Sequence, residues 1–437
     1  MGLIQNQQQS GSRLRVAIAG YDIEGQATYR YLSRQGNYDI TILDEREVEL
    51  PAGVDSRLGA GVFETELDFD QVWRTPGLPP WRLKTTASVY SGTIEFMNRC
   101  PALVIGVTGT KGKGTTATLI SRILTAADHK THLVGNIGQP ALDLLDQIKA
   151  EDVVVYELSS FQLWDVKTSP DIAVVLMVEA EHLDRHQDLD DYLNAKSNIA
   201  RWQDERGVTI YHPNNRLSAR VAKPGLGRKL KYLGRGGANI KDDQLVIAEQ
   251  EICSVTEFGL SGPHNHENIA AALTAVWQVK PDAKAAAQVI KEFKGLPHRL
   301  QTIAEKNGVT FVDDSFATTP ATSLAAAHSF AQPKVMIIGG SNKGSDYSNL
   351  VKGLRSTDIR RLILIGQTAP AIKAELDKVG FDNCELVSGG MGDIVKRAAE
   401  LARAGDVVLL SPACASFDMF KDYIDRAEQF KAAVEKL

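Results

Sequence analysis

The sequence predicts an α/β protein whose parallel sheets are divided among about three domains. Its 437 residues exceed what one hydrophobic core usually serves, because domains average about 150 residues. Short, near-continuous apolar runs alternate with helical stretches, which is typical of strands covered by helices on both faces. Several of its 36 glycines stand directly after these runs, where strand-to-helix turns need them. These observations together favour doubly wound sheets.

The first predicted unit begins with a β-turn-α-β pattern. The apolar run LRVAIA at 14–19 ends at a glycine, a helical stretch follows, and YDITIL at 38–43 ends at Asp44. Two strands joined by a helix lie parallel in one sheet. We expect this unit to close near RTPGLPP at 74–80, with a final helix that reaches about Cys100.

Two further units repeat this alternation. The predicted strands of the second unit lie at 102–107, 152–158 and 172–178, and a long Ala-rich helix follows at 265–278. GLPHR is interpreted as a linker into the third unit, whose predicted strands lie at 309–314, 334–340, 361–366 and 406–412. The chain ends in a predicted amphipathic helix at 417–437.

Charge and cysteine usage exclude several classes of protein. The 49 basic and 54 acidic residues give a net charge of −5, which argues against a nucleic-acid partner. The four cysteines lie far apart and none forms a CxxC pair, so we expect neither a zinc ribbon nor a disulfide framework. No run of about 18 apolar residues occurs and the polar N-terminus lacks the core of a secretory signal. We therefore expect a cytoplasmic protein that does not associate with a membrane.

The strongest local signal is GVTGTKGKGTT at 106–116, between a predicted buried strand and a helix. Glycines allow backbone N–H groups to converge on phosphate oxygens, and a helix N-terminus adds a favourable dipole. The loop lysine can reach the outer phosphates, and the threonine hydroxyls can bind Mg²⁺. The alternative interpretation is a glycine-rich turn with surface lysines. The predicted phosphate-binding residues are Gly109, Thr110, Lys111, Gly112, Lys113, Gly114, Thr115 and Thr116.

Two polar residues follow the central predicted strands. Glu157 ends one strand and His182 comes after the next. Doubly wound sheets bind ligands at the carboxyl ends of their strands, and a carboxylate and an imidazole near a triphosphate indicate a metal site. The alternative is a polar turn with a hydrogen-bonded structural histidine, which we favour for the nearby His186.

The first turn, GYDIEG at 20–25, argues against a nicotinamide dehydrogenase. The dinucleotide fingerprint GxGxxG needs a glycine where Asp22 stands, and a carboxylate there would repel a pyrophosphate. Asp44, at the end of the second strand, is a candidate for binding a ribose hydroxyl.

The C-terminal third contains three ambiguous polar clusters. DDSFATTP at 313–320 follows a strand, and its Asp314 is a candidate for a ribose or adenine-side contact. GGSNKGSDY at 339–347 is a glycine-rich turn with one lysine. SPACAS contains Cys414, which we interpret as a small buried thiol because the sequence places no base beside it.

Taken together, these blocks resemble the Mur ligase family, in order and along nearly the whole chain. The resemblance implies a Rossmann-like UDP-binding domain at 1–98, a central P-loop-type ATPase domain at 99–297 and a Rossmann-like amino-acid-binding domain at 298–437. The blocks that carry it are GVTGTKGKGTT, GNIGQP (135–140), YELSSFQL (156–163), HLDRH (182–186), AKSNI (195–199), HNHENIAAAL (264–273), GLPHRLQ (295–301), DDSFATTP and LLSPACASFDMFKDY (409–423).

The resemblance also implies an ATP-dependent, amide-forming ligase. ELSSFQL, GLPHR and SPACASFDMFK are similar to the branch that adds D-glutamate to UDP-N-acetylmuramoyl-L-alanine in peptidoglycan precursor synthesis. In that branch ATP, with Mg²⁺, phosphorylates the L-alanyl carboxylate, and the amine of glutamate attacks the acyl phosphate. GTKGKGT resembles instead the loop of folylpolyglutamate synthase, so a related ligase for L-glutamate or another acceptor stays open. A nucleotide-binding protein without catalysis is the third alternative. We expect a monomer that binds only these small molecules.

The family motifs imply roles for individual residues. Lys113, Lys196 and His182 correspond to catalytic residues, and Lys196 to a lysine that is carbamylated in the family. Asn268, Arg299 and Asp314 are implied to hold ATP beside the phosphate loop. The implied Mg²⁺ ligands are Thr115, Glu157, His182 and Lys196. The implied substrate contacts are Asp44, Asn136, Ser159, Thr318, Lys343, Ser416 and Tyr423.

The chain departs from the family pattern at four places. Gly114 follows the loop lysine where a hydroxyl residue is usual, and Phe316 stands where the family has a lysine. Met177 replaces an asparagine, and Asp22 with Glu24 makes the UDP-side turn acidic. The first three changes bear on metal and glutamate binding, and the fourth bears on the diphosphate contact.

Overall fold

The computed structural model describes residues 13–260, 262–341 and 345–437. The predicted glutamate contact Lys343 lies outside these ranges. The chain forms two compact units, of which the first ends at Phe293 and the second extends from Lys294 to Leu437. The three-domain division inferred from the sequence stays a prediction.

The first unit begins with a five-stranded parallel sheet in the order β3-β2-β1-β4-β5. Its strands are β1 (Leu14–Ala19), β2 (Tyr38–Asp44), β3 (Asp55–Leu58), β4 (Gln71–Arg74) and β5 (Ser88–Tyr90). The accompanying helices are α1 (Ile23–Gln35) and α2 (Gly92–Arg99). The predicted strands at 14–19 and 38–43 are therefore confirmed as β1 and β2.

A six-stranded parallel sheet in the order β11-β10-β9-β6-β8-β7 forms the centre of the same unit. Its strands are β6 (Leu103–Thr108), β7 (Thr131–Gly135), β8 (Val153–Glu157), β9 (Ile172–Val175), β10 (Val208–Tyr211) and β11 (Arg228–Lys231). The helices around it are α3 (Lys113–Ala126), α4 (Ala141–Leu144), α5 (Ser160–Leu163), α6 (Leu189–Arg201), α7 (Arg216–Ala222), α8 (Pro263–Val276) and α9 (Ala283–Glu292). A small antiparallel sheet consists of β12 (Asn239–Lys241), β13 (Gln244–Ile247) and β14 (Gln250–Ser254).

The two large sheets of the first unit share one hydrophobic core. The same buried cluster contains Val16 of β1, Phe96 of α2 and Tyr156 of β8. The side chain of Arg74 is fully buried, and its guanidinium donates two hydrogen bonds, of 3.0 and 2.6 Å, to the Asp165 carboxylate. Apolar burial and this ion pair together fix the first sheet against the central one.

The second unit contains a six-stranded sheet in the order β15-β16-β20-β17-β18-β19. Its strands are β15 (Gln301–Lys306), β16 (Val309–Asp313), β17 (Lys334–Gly339), β18 (Ile359–Ile365), β19 (Cys384–Leu386) and β20 (Val407–Leu410). Its helices are α10 (Pro320–His328), α11 (Ser348–Leu354), α12 (Ala369–Lys378), α13 (Met391–Leu401) and α14 (Tyr423–Glu435). β15 pairs antiparallel with β16, and the other neighbouring strands pair in parallel.

Several predicted elements are shorter in the structure, among them the strand expected at 406–412, which spans Val407–Leu410. The strand expected at 172–178 ends at Val175, because the chain then bends over the loop after β6: Leu176 N–H donates to Thr108 O at 2.9 Å and Thr110 N–H to Met177 O at 2.9 Å. The C-terminal helix begins only at Tyr423, after an N-cap by Asp422. Across the part of the chain that the structure describes, we find no helix with the length and apolar character needed to span a bilayer.

Candidate active site

The loop between β6 and α3 has the geometry of a phosphate cradle. Gly112 is the N-cap of α3 and has a φ of 83°, a left-handed conformation that glycine adopts without strain. A Cβ at this position would lie 2.2 Å from Asn268 Oδ1, so the loop and α8 approach more closely than a side chain permits. The helix that begins after Gly112 directs its N-terminal N–H groups and its dipole toward the loop, and both favour an anion.

The residues of the predicted phosphate loop differ in their exposure and in their hydrogen-bond partners. Lys113 Nζ donates to the carbonyl oxygens of Gly109, at 3.2 Å, and Thr110, at 2.8 Å, so its cationic end lies over the loop. Lys111 is exposed, and Gly114 is buried in the first turn of α3. Thr115 is partly buried, whereas Thr116 is fully buried and donates to Asn268 Oδ1 at 3.4 Å.

Asn268 belongs to a pair of asparagines on one face of α8. Its Nδ2 donates to Asn265 Oδ1 at 3.2 Å, and both side chains are more than nine-tenths buried. Residues three apart on a helix lie side by side, so the HNHEN block holds two adjacent amides, of which Asn268 contacts the phosphate loop. Asn268 was predicted from the sequence and Asn265 was not, although the spacing of three residues was a usable signal.

Lys196 lies at the centre of the cluster and is only 2% exposed. Its Nζ donates to two uncharged oxygens, Gly109 O at 2.8 Å and Thr108 Oγ1 at 3.4 Å, and lies 4.8 Å from the Tyr192 ring centre. Burial, reinforced by the charge of Lys113, holds the pKa of Lys196 well below its usual value. The structure thus places a weakly basic amine beside the loop.

Glu157 lies at the carboxyl end of β8, whereas His182 lies in the segment that follows the end of β9 at Val175. Glu157 is the last residue of β8 and is 4% exposed, and its charge acts on Lys196. His182 has a φ of 58° and packs 5.0 Å from the Phe161 ring. Burial, together with the positive charges of Lys113 and Lys196, lowers the pKa of His182. Two lysines, one carboxylate and one imidazole therefore share this edge of the sheet.

The donor set fits Mg²⁺ held mainly by a nucleotide. Within residues 13–260, 262–341 and 345–437, no group of three or more His, Cys, Asp or Glu side chains is arranged to hold a metal ion. Mg²⁺ in nucleotide sites is usually bound by one or two carboxylates together with phosphates and water. The buried Glu157 carboxylate and the Thr115 hydroxyl at the N-terminus of α3 match that requirement.

His186 is a structural residue, as the sequence analysis favoured. Its Nδ1 lies 2.7 Å from Asp191 Oδ2 and its Nε2 lies 2.9 Å from Ser160 Oγ. The imidazole side chain is fully buried. Its hydrogen bonds tie α5 to the start of α6, which supports the loop that carries His182.

At the first sheet, a single arginine compensates for the acidic turn. Arg46 donates to Asp44 Oδ1 at 3.0 Å and to Asp22 Oδ1 at 2.9 Å, and Tyr21 N–H donates to Asp44 Oδ2 at 2.8 Å. Burial alone would raise the pKa of Asp44, but the hydrogen bonds from Arg46 and Tyr21 lower it below its usual value. Arg46 therefore places a positive charge beside Asp22 and Asp44, and no signal in the sequence pointed to it.

Two predicted substrate contacts lie at the ends of β7 and β8. Asn136 is exposed directly after β7, and its backbone N–H donates to Glu157 O at 3.2 Å. Ser159 is the N-cap of α5 and forms a capping box with Gln162. The structure therefore brings both residues next to the Glu157 segment.

In the second unit, two aspartates at the end of β16 organise the GLPHR segment. Asp313 Oδ2 lies 2.8 Å from His298 Nδ1, and Asp314 Oδ1 accepts the Leu300 N–H at 3.1 Å. His298 and Leu300 have φ values of 60° and 44°, so the exposed Arg299 is flanked by two left-handed residues. Such strain persists where surrounding contacts impose it, often at functional positions.

Asp314 is buried beside a serine that the sequence analysis missed. Ser411 Oγ donates to Asp314 Oδ2 at 2.7 Å. Burial raises the pKa of Asp314 to about 6, although the hydrogen bonds from Ser411 and Leu300 and the charge of Arg299 act in the opposite direction. A carboxyl group with this pKa changes its charge close to neutral pH.

The remaining predicted contacts of the second unit follow β16 and β20. Tyr423 opens α14, and its ring centre lies 5.4 Å from that of Phe316, which is 45% exposed. Thr318 is exposed and Ser416 is buried. Cys414 is 3% exposed, with its Sγ 3.2 Å from both Tyr347 Oη and Thr368 Oγ1, so it is the small buried thiol that the sequence indicates.

Comparison with protein families matches most of the chain. Residues 107–276 match the Mur ligase middle domain, and residues 298–414 match the Mur ligase glutamate ligase domain. The first match contains the phosphate loop, Glu157 and Lys196. The second contains Arg299 and Asp314.

Curated relatives are similar along almost their full length. The UDP-N-acetylmuramoylalanine–D-glutamate ligase of Clostridium tetani is 35% identical over 97% of both chains. The protein of the same name from Symbiobacterium thermophilum is 37% identical over 97% of this chain and 98% of its own.

Solved structures show the same fold at lower identity. The MurF ligase of Thermotoga maritima, in complex with ADP, superposes with a TM-score of 0.54. It is 18% identical, over 98% of this chain and 96% of its own. Fold, family domains and full-length relatives agree, and the chain belongs to the Mur ligase family.

Proposed function

We propose that this protein is an ATP-dependent ligase that joins D-glutamate to the L-alanyl carboxylate of UDP-N-acetylmuramoyl-L-alanine in peptidoglycan precursor synthesis. The observation that carries the proposal is the full-length similarity to two relatives named UDP-N-acetylmuramoylalanine–D-glutamate ligase. The Lys113, Lys196 and Glu157 cluster supports it, because phosphoryl transfer mainly needs positioning and neutralisation of charge. We also propose the cytoplasm as its location, because both substrates and ATP are small, charged molecules.

In the first step, a carboxylate oxygen of the L-alanyl group attacks the γ-phosphorus of ATP. The bond from that phosphorus to the β–γ bridging oxygen breaks, and ADP leaves. Backbone N–H groups of the loop and the N-terminus of α3 bind the phosphates, and Lys113 Nζ turns from the loop carbonyls to the transferring group. Asn268 and Asn265 hold the loop in place from α8.

Glu157 and Thr115, with His182 and Lys196, are the proposed residues for Mg²⁺. Bound there, Mg²⁺ would screen the negative charge of the phosphates and orient the outer ones. The buried amine of Lys196 suits reaction with CO₂, which forms a carbamate and releases one proton. Because the neutral amine is the reacting form, conversion of a protonated Lys196 to the anionic carbamate releases two protons in all. The carbamate gives the cluster a second anionic group beside Glu157.

In the second step, the amine of D-glutamate attacks the acyl carbon. A tetrahedral intermediate forms, its bond to the phosphate oxygen breaks, and inorganic phosphate leaves with loss of one amine proton. We assign glutamate binding to Thr318, Lys343, Ser416 and Tyr423, and nucleotide binding on the adenosine side to Arg299 and Asp314. Asp44, Asn136 and Ser159 are the proposed contacts of the UDP-linked substrate.

One observation favours a second candidate, a related ligase for L-glutamate. The exposed Phe316 ring packs edge-on against Tyr423, at the position where the family has a lysine. An apolar ring there changes the charge that an incoming amino acid meets. The two enantiomers place the same carboxylates differently relative to the amine, so activity with each of them separates the candidates.

The experiment is phosphate release by the full chain with ATP, Mg²⁺ and UDP-N-acetylmuramoyl-L-alanine, with either D- or L-glutamate. We expect release that depends on D-glutamate and that is lost in Lys113→Ala. Lys149→Ala is the matched control, because Lys149 is an exposed lysine of the same unit that lies outside the loop. Release with L-glutamate alone would select the second candidate. ATP binding without release for either enantiomer would contradict both.

A further inference from the structure

Three side chains connect the acidic turn of the first sheet to the predicted substrate loop. Glu24 lies in the first turn of α1, and its Oε1 accepts a hydrogen bond from Gln162 Nε2 at 3.1 Å. Gln162 Oε1 in turn accepts from Ser159 N–H at 2.9 Å and from Ser159 Oγ at 3.1 Å. Glu24 is 138 residues away from Gln162 in sequence, so the link exists only in the folded chain.

The orientation of the Gln162 amide in this chain of contacts is fixed from both ends. A carboxylate can only accept, so the NH₂ group of Gln162 must face Glu24. A backbone N–H can only donate, so the carbonyl oxygen of Gln162 must face Ser159. Gln162 is 3% exposed, which leaves water little access to compete for either group. Both ends therefore require the same orientation. A reversed amide would place its oxygen against the Glu24 carboxylate and its NH₂ group against the Ser159 N–H, and neither hydrogen bond could form.

The same contacts fix the direction of the Ser159 hydroxyl. Its hydrogen points to Gln162 Oε1, and one of its two acceptor positions is taken by Gln162 N–H at 3.2 Å. What Ser159 can present to a ligand is therefore a hydrogen-bond acceptor. Such a group recognises an N–H or O–H of the substrate and disfavours a carbonyl or phosphate oxygen.

We propose that Glu24 is a positioning residue that acts through Gln162 to hold Ser159 as an acceptor for a donor group of the UDP-linked substrate. This inference rests on the proposed function, which makes Ser159 a substrate contact. It also accounts for the acidic residue at position 24, because that carboxylate accepts a hydrogen bond from the buried Gln162.

A neighbouring ion pair makes it possible to distinguish positioning of Ser159 from general stabilisation of α1. Burial, with the nearby charge of Asp143, raises the pKa of Glu24, and the Gln162 hydrogen bond opposes that rise. Asp143 forms a separate two-bond contact with Arg30 of the same helix, at 2.9 and 2.6 Å. Arg30 thus braces α1 against α4 through Asp143 and not through Gln162 or Ser159, which makes it a matched control.

The test measures KM for UDP-N-acetylmuramoyl-L-alanine, kcat and Tm in variants of the full chain. We expect Glu24→Ala to raise KM by about fivefold to tenfold with kcat changed less than about twofold. Glu24→Gln should stay within about threefold of wild type, because its amide oxygen still accepts from Gln162. Arg30→Met should leave KM unchanged while it lowers Tm.

A charge swap provides the decisive comparison. Gln162→Glu alone places two carboxylates against each other and should raise KM more than about tenfold. The double variant Glu24→Gln, Gln162→Glu restores one donor and one acceptor between the residues, and Ser159 still donates to position 162, so KM should recover to within about threefold of wild type.

Three results would overturn the proposal: an unchanged KM in Glu24→Ala, an equal rise in Arg30→Met, or no recovery in the swap. If wild-type protein showed no ligation, the proposed function would fail by that result alone. The dissociation constant for the same UDP-linked compound, measured by titration calorimetry on the same variants, would then decide the role of Glu24 by the same pattern.

Discussion

Removing the charge of Asp314 should stabilise the protein at neutral pH. Asp314 is 4% exposed, and burial raises its pKa from 3.8 to about 6. Because the pKa in the folded state is higher than in the unfolded state, its stabilising contribution is present below about pH 4 and is lost as pH rises through about 6. Asp314→Asn keeps the shape of the side chain and removes the ionisation that causes this loss of stability.

The magnitude follows from the pKa. A rise from 3.8 to about 6, at about 1.4 kcal/mol for each pH unit, corresponds to about 3 kcal/mol above pH 7. Asparagine has one acceptor oxygen where aspartate has two, so one of the bonds from Ser411 and Leu300 weakens, at a cost of about 1 kcal/mol at every pH. The lost hydrogen bond lowers stability equally at every pH. The pH-dependent part of the difference in unfolding free energy therefore reports the ionisation of Asp314 alone.

The assay is calorimetric unfolding of wild type and Asp314→Asn between pH 4 and pH 8. We expect the free energy of unfolding of the variant, relative to that of wild type, to increase by about 2.5 kcal/mol from pH 4 to pH 8, with the steepest change near pH 5, midway between the unfolded and folded pKa values. The same variant should bind ATP more weakly if Asp314 holds the nucleotide. A difference that stays constant with pH would refute the buried, weakly acidic carboxyl described above.

Three further predictions concern the first unit. Gly112→Ala places a Cβ 2.2 Å from an asparagine oxygen and should raise KM for ATP at least about tenfold, whereas Gly36→Ala, also at positive φ but with open space around it, should only lower Tm. Arg74→Met removes the buried guanidinium that pairs with Asp165. The free energy of unfolding should fall by about 3–5 kcal/mol, measured as a fall in Tm. Lys196→Ala should lower kcat by about 100-fold or more, with partial rescue by short carboxylic acids; activity equal to wild type would remove the carbamate from the mechanism.

Most strands were predictable because their signal is local. LRVAIA and Leu14–Ala19 coincide, since an apolar run buried on both faces needs no distant partner to be recognised. The edge strand β15 was missed because QTIAEK is half-exposed and mixes charged with apolar side chains. Its antiparallel pairing to β16 depends on a short turn at Asn307 and Gly308, both at positive φ.

The candidate site was only partly predictable, because its contacts join distant parts of the chain. Glu157 and Asp314 follow from their positions at strand ends, where α/β sheets bind ligands. The near-complete burial of Lys196 does not follow from the AKSNI block, which reads as an ordinary helix surface. The contacts of Arg46 with Asp22 and of Gln162 with Glu24 required the folded structure, since neither pair is close in sequence.

Transfer of oxygen from substrate to phosphate tests the proposed ligation most directly. UDP-N-acetylmuramoyl-L-alanine labelled with oxygen-18 in the L-alanyl carboxylate is incubated with the enzyme, ATP, Mg²⁺ and D-glutamate, and the released phosphate is analysed by mass spectrometry. An acyl phosphate intermediate predicts one labelled oxygen in each phosphate, with release that requires D-glutamate. Unlabelled phosphate would show that water attacks ATP and would contradict the ligase.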